Sequence, residues 1–125
     1  MSERDDKLQA WIRRQLDNAV KGFIESELYE DALIEVKPAW VLPSQLLIGK
    51  VREQSNPISF RWFICGEVPL DHMDSNAATT PREAIRHFAL KWQLEAANLK
   101  GDGAAALIEQ AESLYPLADD GRLWR

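Results

Sequence analysis

The stretch that decides the fold is residues 46–65, LLIGKVREQSNPISFRWFIC. Its last part, residues 58–65, is rich in β-branched and aromatic side chains that alternate between two faces, a pattern typical of a β-strand. The even-numbered face is predicted to pack into the core, because it carries four large apolar side chains. These are Ile58, Phe60, Trp62 and Ile64.

A second strand is predicted upstream, over residues 46–52. The segment between the two strands, residues 53–57, is polar and ends in an Asn-Pro pair that favours a turn. The two strands are therefore expected to pair as an antiparallel hairpin. A third strand over residues 34–40 is expected at an edge of the sheet, because Pro38 cannot donate a ladder hydrogen bond.

A long amphipathic helix is predicted ahead of the sheet and is interpreted as core packing. Asp5 and Asp6 suit its first turn, because carboxylates oppose the positive end of the helix dipole. Trp11 widens its apolar stripe. The stripe recurs at three- and four-residue spacing and consists of Leu8, Ile12, Leu16, Ala19, Val20, Phe23, Ile24 and Leu28.

The most specific local signal in the chain is Thr80-Pro81-Arg82-Glu83. It combines a Thr cap, a Pro at the first helical position and a Glu three residues after the cap, and it predicts a helix over residues 80–99. This helix has one broad apolar face and a narrower one, with Leu90, Leu94 and Ala97, nearly opposite. Two apolar faces predict that the helix packs against other elements on two sides. One of these is expected to be the sheet, and the other could be the next helix or a second subunit.

A short glycine-containing connection separates this helix from a last one over residues 104–115, which Pro116 is expected to stop. A connection of this length predicts an antiparallel helical hairpin. The tail is polar except for Leu123 and Trp124, which are expected to dock onto the body of the protein.

Length and composition predict one α+β domain over residues 1–125. A chain that is 46% hydrophobic can bury one continuous core of this size. Its predicted parts are a long amino-terminal helix, a short antiparallel sheet of about three strands and a carboxy-terminal two-helix hairpin. The single cysteine, Cys65, cannot form an intramolecular disulfide, which favours a reducing compartment. No apolar run approaches the roughly 20 residues that cross a bilayer, so a soluble cytoplasmic protein with no membrane partner is expected.

The charge of the chain argues against a nucleic-acid partner. A net charge of -5 opposes binding to a phosphate backbone unless positive charge is gathered on one surface. Between residues 37 and 66 four bases do outnumber one acid, Glu53, but four charges fall short of the basic stripe of nucleic-acid binders. These bases are Lys37, Lys50, Arg52 and Arg61.

The loop predicted at residues 66–74 is the place where chemistry would sit, because loops at strand ends commonly carry sites. Its candidate catalytic residues are Glu67, Asp71 and His72. An enzyme would use Cys65 as the nucleophile and His72 as its base. However, Cys65 belongs to an apolar strand, and adjacent side chains such as Asp71 and His72 point different ways in an extended segment. Turn-forming and surface roles are favoured for this loop.

A metal site would draw on carboxylates and the two histidines of the chain, which are ligands suited to zinc or manganese. None of the recognised ligand spacings is present, and carboxylates ahead of a helix more often cap it. No metal and no cofactor is therefore predicted. The ligands considered are Asp71, His72, Asp74 and His87.

The candidate binding residues are tryptophans, the second apolar face of the 80–99 helix, and one arginine. Tryptophan is a frequent anchor in interfaces and ligand pockets. Trp62 and Trp92 have core positions by periodicity, whereas two other tryptophans have none. The resulting set is Arg61, Trp40, Trp124, Leu90 and Leu94.

Several segments of the second half carry a family resemblance: GEVPLDH at 66–72, PREA at 81–84, WQLEAANL at 92–99, AESLY at 111–115 and Leu123-Trp124. With these segments the chain resembles a family of small bacterial proteins classed as a domain of unknown function. The resemblance implies a bacterial cytoplasmic protein of one domain, and it carries no activity or functional residue.

The biochemical function is not specified by the sequence. The favoured interpretation is a non-catalytic interaction or small-ligand-binding domain whose partner is an unknown protein or small ligand. A homodimer through the second apolar face of the 80–99 helix is one form of it. The alternative is a hydrolase or metal-dependent enzyme that uses Glu67, Asp71 and His72.

Overall fold

The structure of the chain is a computed structural model that describes residues 3–28, 34–56, 58–99 and 101–124. It divides into two compact units, one up to Ser75 and the other from Asn76 onward. The first unit contains a long helix and a four-stranded antiparallel sheet, and the second contains two helices. The α+β class is confirmed, with four strands instead of about three. The expectation of one domain over residues 1–125 stays a prediction.

The first unit begins with helix α1 (Glu3–Glu25), which is followed by strands β1 (Ile34–Leu42), β2 (Leu46–Glu53), β3 (Arg61–Gly66) and β4 (Asp71–Asp74). The strands lie in sequence order, and each is antiparallel to its neighbour. The predicted hairpin of β2 and β3 is confirmed, and so is the edge position of β1. A 3-10 helix, Ser75–Ala77, follows β4.

Helix α1 packs on one face of the sheet, here called the α1 face. The side chains of β2 and β3 that pack with it are apolar and buried, and Trp11, Ala19 and Phe23 supply the helical side of this core. Burial of this apolar surface is the main force that holds the helix on the sheet. The α1 face of the two strands consists of Leu47, Val51, Phe63 and Cys65.

The opposite face of the same strands is also buried, at Leu46, Ile48, Trp62 and Ile64. The prediction that β3 packs its even-numbered face inward is confirmed for Trp62 and Ile64, but the odd-numbered face is buried as well. The predicted start of the strand is wrong, since the strand begins at Arg61 and Ile58 is 92% exposed. Apolar alternation marks residues that can form a strand, but strand pairing here ends where Arg61 lies opposite Val51.

Strand β4 lies inside the stretch that was predicted to be a loop, residues 66–74. It pairs with β3 from Ile64 opposite Asp71 to Arg61 opposite Asp74. Three of its four side chains are polar, so periodicity alone could not identify it. It adds the fourth strand and gives the sheet its second edge.

In the second unit, helix α2 (Pro81–Ala96) begins at the predicted cap. The Thr80 hydroxyl accepts a hydrogen bond from the Glu83 amide, and the Glu83 carboxylate accepts two bonds of 2.8 Å from the amide and hydroxyl of Thr79. The Glu83 amide is one of the donors that the first helical turn leaves free, and the bonds from Thr79 fix the residue ahead of the cap. The helix ends at Ala96, three residues before its predicted end.

Helix α3 (Asp102–Asp119) runs through Pro116, so the prediction that this proline stops it is wrong. A proline inside a helix removes the backbone donor that would bond the carbonyl four residues earlier, here that of Glu112. Nearer the helix end, side chains bond carbonyls of the last turn. Arg82 Nε donates to the Ala118 carbonyl at 2.6 Å, and Trp124 Nε1 donates to the Leu117 carbonyl at 3.0 Å.

The two helices are antiparallel, as predicted, because the start of α2 contacts the end of α3. Arg86 pairs with Asp119 at 3.4 Å, and the Tyr115 hydroxyl donates to the Gln93 side chain at 2.8 Å. A second 3-10 helix, Gly121–Trp124, follows α3, and the Trp124 bond anchors it to that helix. None of the described helices is long and apolar enough to cross a membrane.

Candidate functional site

The three candidate catalytic side chains are placed apart. Asp71 and His72 are neighbours on β4, so their side chains point to opposite faces of the sheet. His72 lies on the α1 face opposite Phe63, and Asp71 lies on the other face opposite Ile64. Glu67 is exposed in the bend after β3. The structure does not bring these three groups to one point.

His72 is held by a cation and by a ring. Arg61 Nε donates a hydrogen bond to His72 Nδ1 at 3.0 Å, and the ring of Phe23 meets the imidazole edge-on with centroids 5.9 Å apart. Because Nδ1 accepts a bond, the neutral imidazole carries its proton on Nε2. A general base needs a free acceptor nitrogen, and here that nitrogen is occupied by the predicted binding residue Arg61.

Asp71 and Glu67 make local contacts within the first unit, Asp71 through its carboxylate and Glu67 through its backbone. Asp71 Oδ1 accepts a hydrogen bond of 2.8 Å from the amide of His72. The backbone amide of Glu67 donates to the Gln45 carbonyl at 2.7 Å, which ties the end of β3 to the start of β2, while the side chain points to solvent. A carboxylate that bonds a neighbouring amide in this way stabilises the local chain path.

Cys65 is buried on the α1 face of the sheet, and its thiol lies 4.0 Å from the carbonyl of Gln15 in α1. Burial raises the pKa of this thiol to about 12. The nucleophile in thiol chemistry is the thiolate, which forms only near or above the pKa. The position across the sheet from His72 is taken by Phe63, so the imidazole does not lie opposite the thiol.

We expect Cys65 to resist a thiol reagent at pH 8 in the folded protein and to react readily in denaturant, where the pKa returns to about 8.5.

The difference between the pKa of Cys65 in the folded and in the unfolded state also makes the free energy of unfolding depend on pH. The folded state keeps the proton that the unfolded chain releases above about pH 8.5. The thiol therefore lowers the free energy of unfolding as pH rises from there toward 12, by at most about 1.4 kcal/mol per pH unit.

The control for this prediction is Cys65→Ala, which removes the titrating group and keeps a small apolar side chain. Urea denaturation of both proteins at several pH values from 7 to about 10 measures the difference. The stability advantage of the natural protein over the variant should shrink as the pH rises. Rapid labelling of native Cys65, or a pH-independent difference, would contradict this account of the thiol.

The metal hypothesis gains no support from the described residues. Within 3–28, 34–56, 58–99 and 101–124, no group of three or more His, Cys, Asp or Glu side chains is placed to hold an ion. Asp71, His72 and Asp74 lie consecutively along β4, and His87 is exposed on α2. The prediction of no metal ligands stays a prediction.

The two tryptophans predicted as binding residues have structural positions. Trp40 lies half-buried on β1 opposite Ile48, just after a register shift between Pro38 and Trp40. Trp124 is partly buried and bonds the Leu117 carbonyl through its indole nitrogen. Sequence periodicity missed both positions, since one follows a bulge and the other lies in a short 3-10 helix.

The other two predicted binding residues, Leu90 and Leu94, are exposed at 46% and 60% although α3 packs against α2. Two more large aliphatic side chains of the same unit are exposed, Leu99 after α2 and Ile108 on α3. Ile108 lies two turns before Tyr115, on the side of α3 whose Tyr115 bonds α2. Leu90 and Leu94 lie four residues apart on one side of α2, and we call these two leucines the outer patch. The helical hairpin leaves it uncovered within its own unit.

The four bases noted between residues 37 and 66 separate onto two faces of the sheet. Arg61 lies on the α1 face, opposite Val51 and Asp74 and bonded to His72. The other three, Lys37, Lys50 and Arg52, lie together on the opposite face. Strand register produces this separation. The sequence shows the charge excess but not the register, so it could not reveal that three of the bases share one place.

Comparison with known proteins gives one family. Residues 5–124 match the family described as Domain of unknown function (DUF4826), and the chain belongs to it. The match includes both compact units. No curated protein and no solved structure matches the chain.

Proposed function

We propose that the chain is a non-catalytic interaction domain that associates with a second copy of itself through the outer patch. The observation that carries this proposal is the exposure of Leu90 and Leu94 on a helix whose other side is buried. Exposed aliphatic side chains that lie together mark interaction surfaces more often than isolated ones do. Covering them in a dimer removes apolar surface from water, which favours association.

A second copy is the favoured occupant because the patch is complementary to itself. Leu90 and Leu94 are four residues apart on α2, so they project one above the other on the same side of the helix. If two copies of α2 meet antiparallel across a twofold axis between these residues, Leu90 of each copy packs on Leu94 of the other. One patch then satisfies both subunits.

The charges beside the patch also permit self-association. Lys91 Nζ and Glu95 Oε1 form an ion pair of 2.6 Å within one helix, so the flank of the patch is locally neutral. Two such flanks can approach without the repulsion that the net charge of -5 would otherwise produce. Exchange of partners between the two pairs in a dimer would keep every charge matched.

The test is the mass of the protein in solution. Sedimentation equilibrium over a wide range of concentration should give twice the mass of one chain. We expect the double variant Leu90→Glu/Leu94→Glu to be monomeric and folded, because both side chains are exposed and the change places like charges in the contact. The dissociation constant of the dimer should be at least about 100-fold higher for the variant than for the natural protein.

The matched control is Ile24→Glu on α1. Ile24 is 45% exposed, close to the 46% of Leu90, but it lies outside the outer patch. It should leave the mass unchanged. A natural protein that stays monomeric at the highest concentrations, or a dimer that survives the double variant, would overturn the proposal.

We propose further that this is a cytoplasmic protein of bacteria. The support is the single buried cysteine, which makes no disulfide and suits a reducing compartment, together with the resemblance to small bacterial proteins. Recovery of the native protein from a membrane or extracellular fraction would contradict this location.

A further inference from the structure

The face of the sheet opposite α1 carries a cationic cavity, which we call the lysine cavity. It has a volume of about 280 Å³ and opens between β1, β2 and the residue that precedes β3. Three of its five lining side chains are cationic and one is acidic, in a chain whose net charge is negative. The lining residues are Glu35, Lys37, Lys50, Arg52 and Phe60.

The register of β1 and β2 creates the charge excess. Glu35 lies directly opposite Arg52, which is a favourable cross-strand pair, but the next pair on this face is Lys37 opposite Lys50. Like charges directly opposite one another in a sheet are destabilising. The fold therefore tolerates an unfavourable cross-strand pair here, although an acid at either position would have made the pair favourable.

Each cationic head group lies near another side chain of this face, although the Lys37 side chain is 64% exposed. Glu35 Oε2 accepts bonds of 3.2 and 2.9 Å from Arg52, and its other oxygen lies 3.5 Å from Lys37 Nζ. Lys50 Nζ lies over the rings of Phe60 and Trp62, at 4.7 and 5.1 Å from their centroids. Contacts of this kind reduce the side-chain entropy that a binding site would lose on binding.

The charge of the cavity indicates the charge of its ligand. The hydrogen bond from Arg52 and the nearby Lys37 ammonium hold the pKa of Glu35 below its ordinary value, so this carboxyl is ionised at neutral pH. Three cations and one carboxylate leave two positive charges. The ammonium groups of Lys37 and Lys50 each carry three donors, more than one Glu35 oxygen can accept.

We propose that the lysine cavity binds the dianionic phosphate group of a small phosphate monoester. A phosphate carries nearly two negative charges at neutral pH and several acceptor oxygens, which match the charge and the donors of the cavity. The volume of about 280 Å³ lies just below the range of roughly 300–1,000 Å³ for small-ligand pockets and suits a short ester better than a nucleotide. Binding relieves the repulsion between Lys37 and Lys50.

The experiment is a titration of the ¹⁵N-labelled protein with inorganic phosphate, glycerol 3-phosphate and a phosphoserine peptide that has no other charged side chain. Sodium chloride holds the ionic strength constant. Saturable shifts of amides in β1 and β2 are expected, with dissociation constants on the order of 1 mM for inorganic phosphate. Lys37→Gln and Lys50→Gln should each weaken binding about tenfold or more. The melting temperature of each variant should stay near that of the natural protein, since each change also removes one charge of a like-charged cross-strand pair.

The matched control is Lys91→Gln, which removes one lysine charge from α2, where Lys91 pairs with Glu95. It should bind phosphate as the natural protein does. Shifts that fail to saturate, that map away from β1 and β2, or that persist in both Lys37→Gln and Lys50→Gln would overturn the site. A phosphoserine peptide that binds at least tenfold tighter than glycerol 3-phosphate would overturn the assignment to a small molecule.

Discussion

Gly66→Ala is expected to lower the free energy of unfolding by about 3 kcal/mol or more. Gly66 ends β3 with a φ of 121°, a backbone conformation that side chains disfavour. A Cβ at this position would lie 2.5 Å from the Gln45 carbonyl oxygen and 2.8 Å from the Leu46 Cα. Both contacts are with backbone atoms at the start of β2, so no side-chain movement can relieve them.

The hydrogen bond beside this glycine increases the expected cost. The Glu67 amide donates to the same Gln45 carbonyl at 2.7 Å, so moving the strands apart to admit a methyl group would break it. Urea denaturation with a common slope for both proteins measures the change in stability. A loss of this size is a large part of the 5–15 kcal/mol typical of small proteins.

Gly103→Ala is the control, because Gly103 lies in the first turn of α3 and a Cβ there would meet nothing within 4 Å. In a helix, alanine is more favourable than glycine by roughly 0.5–1 kcal/mol. This variant should therefore gain a little stability. If the Gly66→Ala variant were as stable as the Gly103→Ala variant, β2 and β3 would not approach each other closely at Gly66.

The parts of the fold that sequence predicted correctly are those in which a local rule and tertiary packing agree. The Thr80 cap bonds the Glu83 amide as the pattern requires. The hairpin of β2 and β3 forms because a polar turn joins two apolar strands, and Leu47 lies opposite Cys65 in it. At such positions the local preference and the global structure favour the same conformation.

The parts that sequence could not predict depend on distant contacts. Helix α3 continues through Pro116, and Arg82 and Trp124, from other parts of the chain, bond carbonyls of its last turn. Strand β4 exists because β3 offers an edge to pair with, and its own pattern is too short and too polar to show it. Tertiary context overrides a local preference in both cases.

The candidate site shows the same division. The exposed leucines of α2 followed from helical periodicity, which places residues four apart on one side. The lysine cavity did not follow, because the pairing of Lys37 with Lys50 depends on the length of the turn between β1 and β2 and on the register shift after Pro38. A shift of one residue would have moved one lysine to the other face.

Phe63→Ala is expected to destabilise the protein by about 3–5 kcal/mol, the range measured for truncating a buried phenylalanine. Phe63 is fully buried at the centre of the α1 face. Its ring meets the ring of Phe23 edge-on with centroids 5.6 Å apart. On the other side it lies so close to Gly49 that a Cβ on that glycine would be 2.6 Å from the ring. The Gly49 backbone on one side and the Phe23 ring on the other leave the surroundings little freedom to fill the space of the removed ring, so a cavity would remain.

The variant that isolates the effect of the cavity on stability is Phe60→Ala, which truncates the same type of side chain on the segment that leads into β3. Phe60 is only half-buried, and its ring contacts Trp62 and the Lys50 ammonium. It should cost about 1 kcal/mol, since little buried apolar surface is lost. Reaction of Cys65 with a thiol reagent gives a second measurement, because opening the α1 face in Phe63→Ala exposes a thiol that Phe60→Ala leaves covered. Equal losses of stability in the two variants, with equal labelling of Cys65, would mean that α1 does not pack on Phe63. The contact between helix and sheet would then have to be sought at other residues.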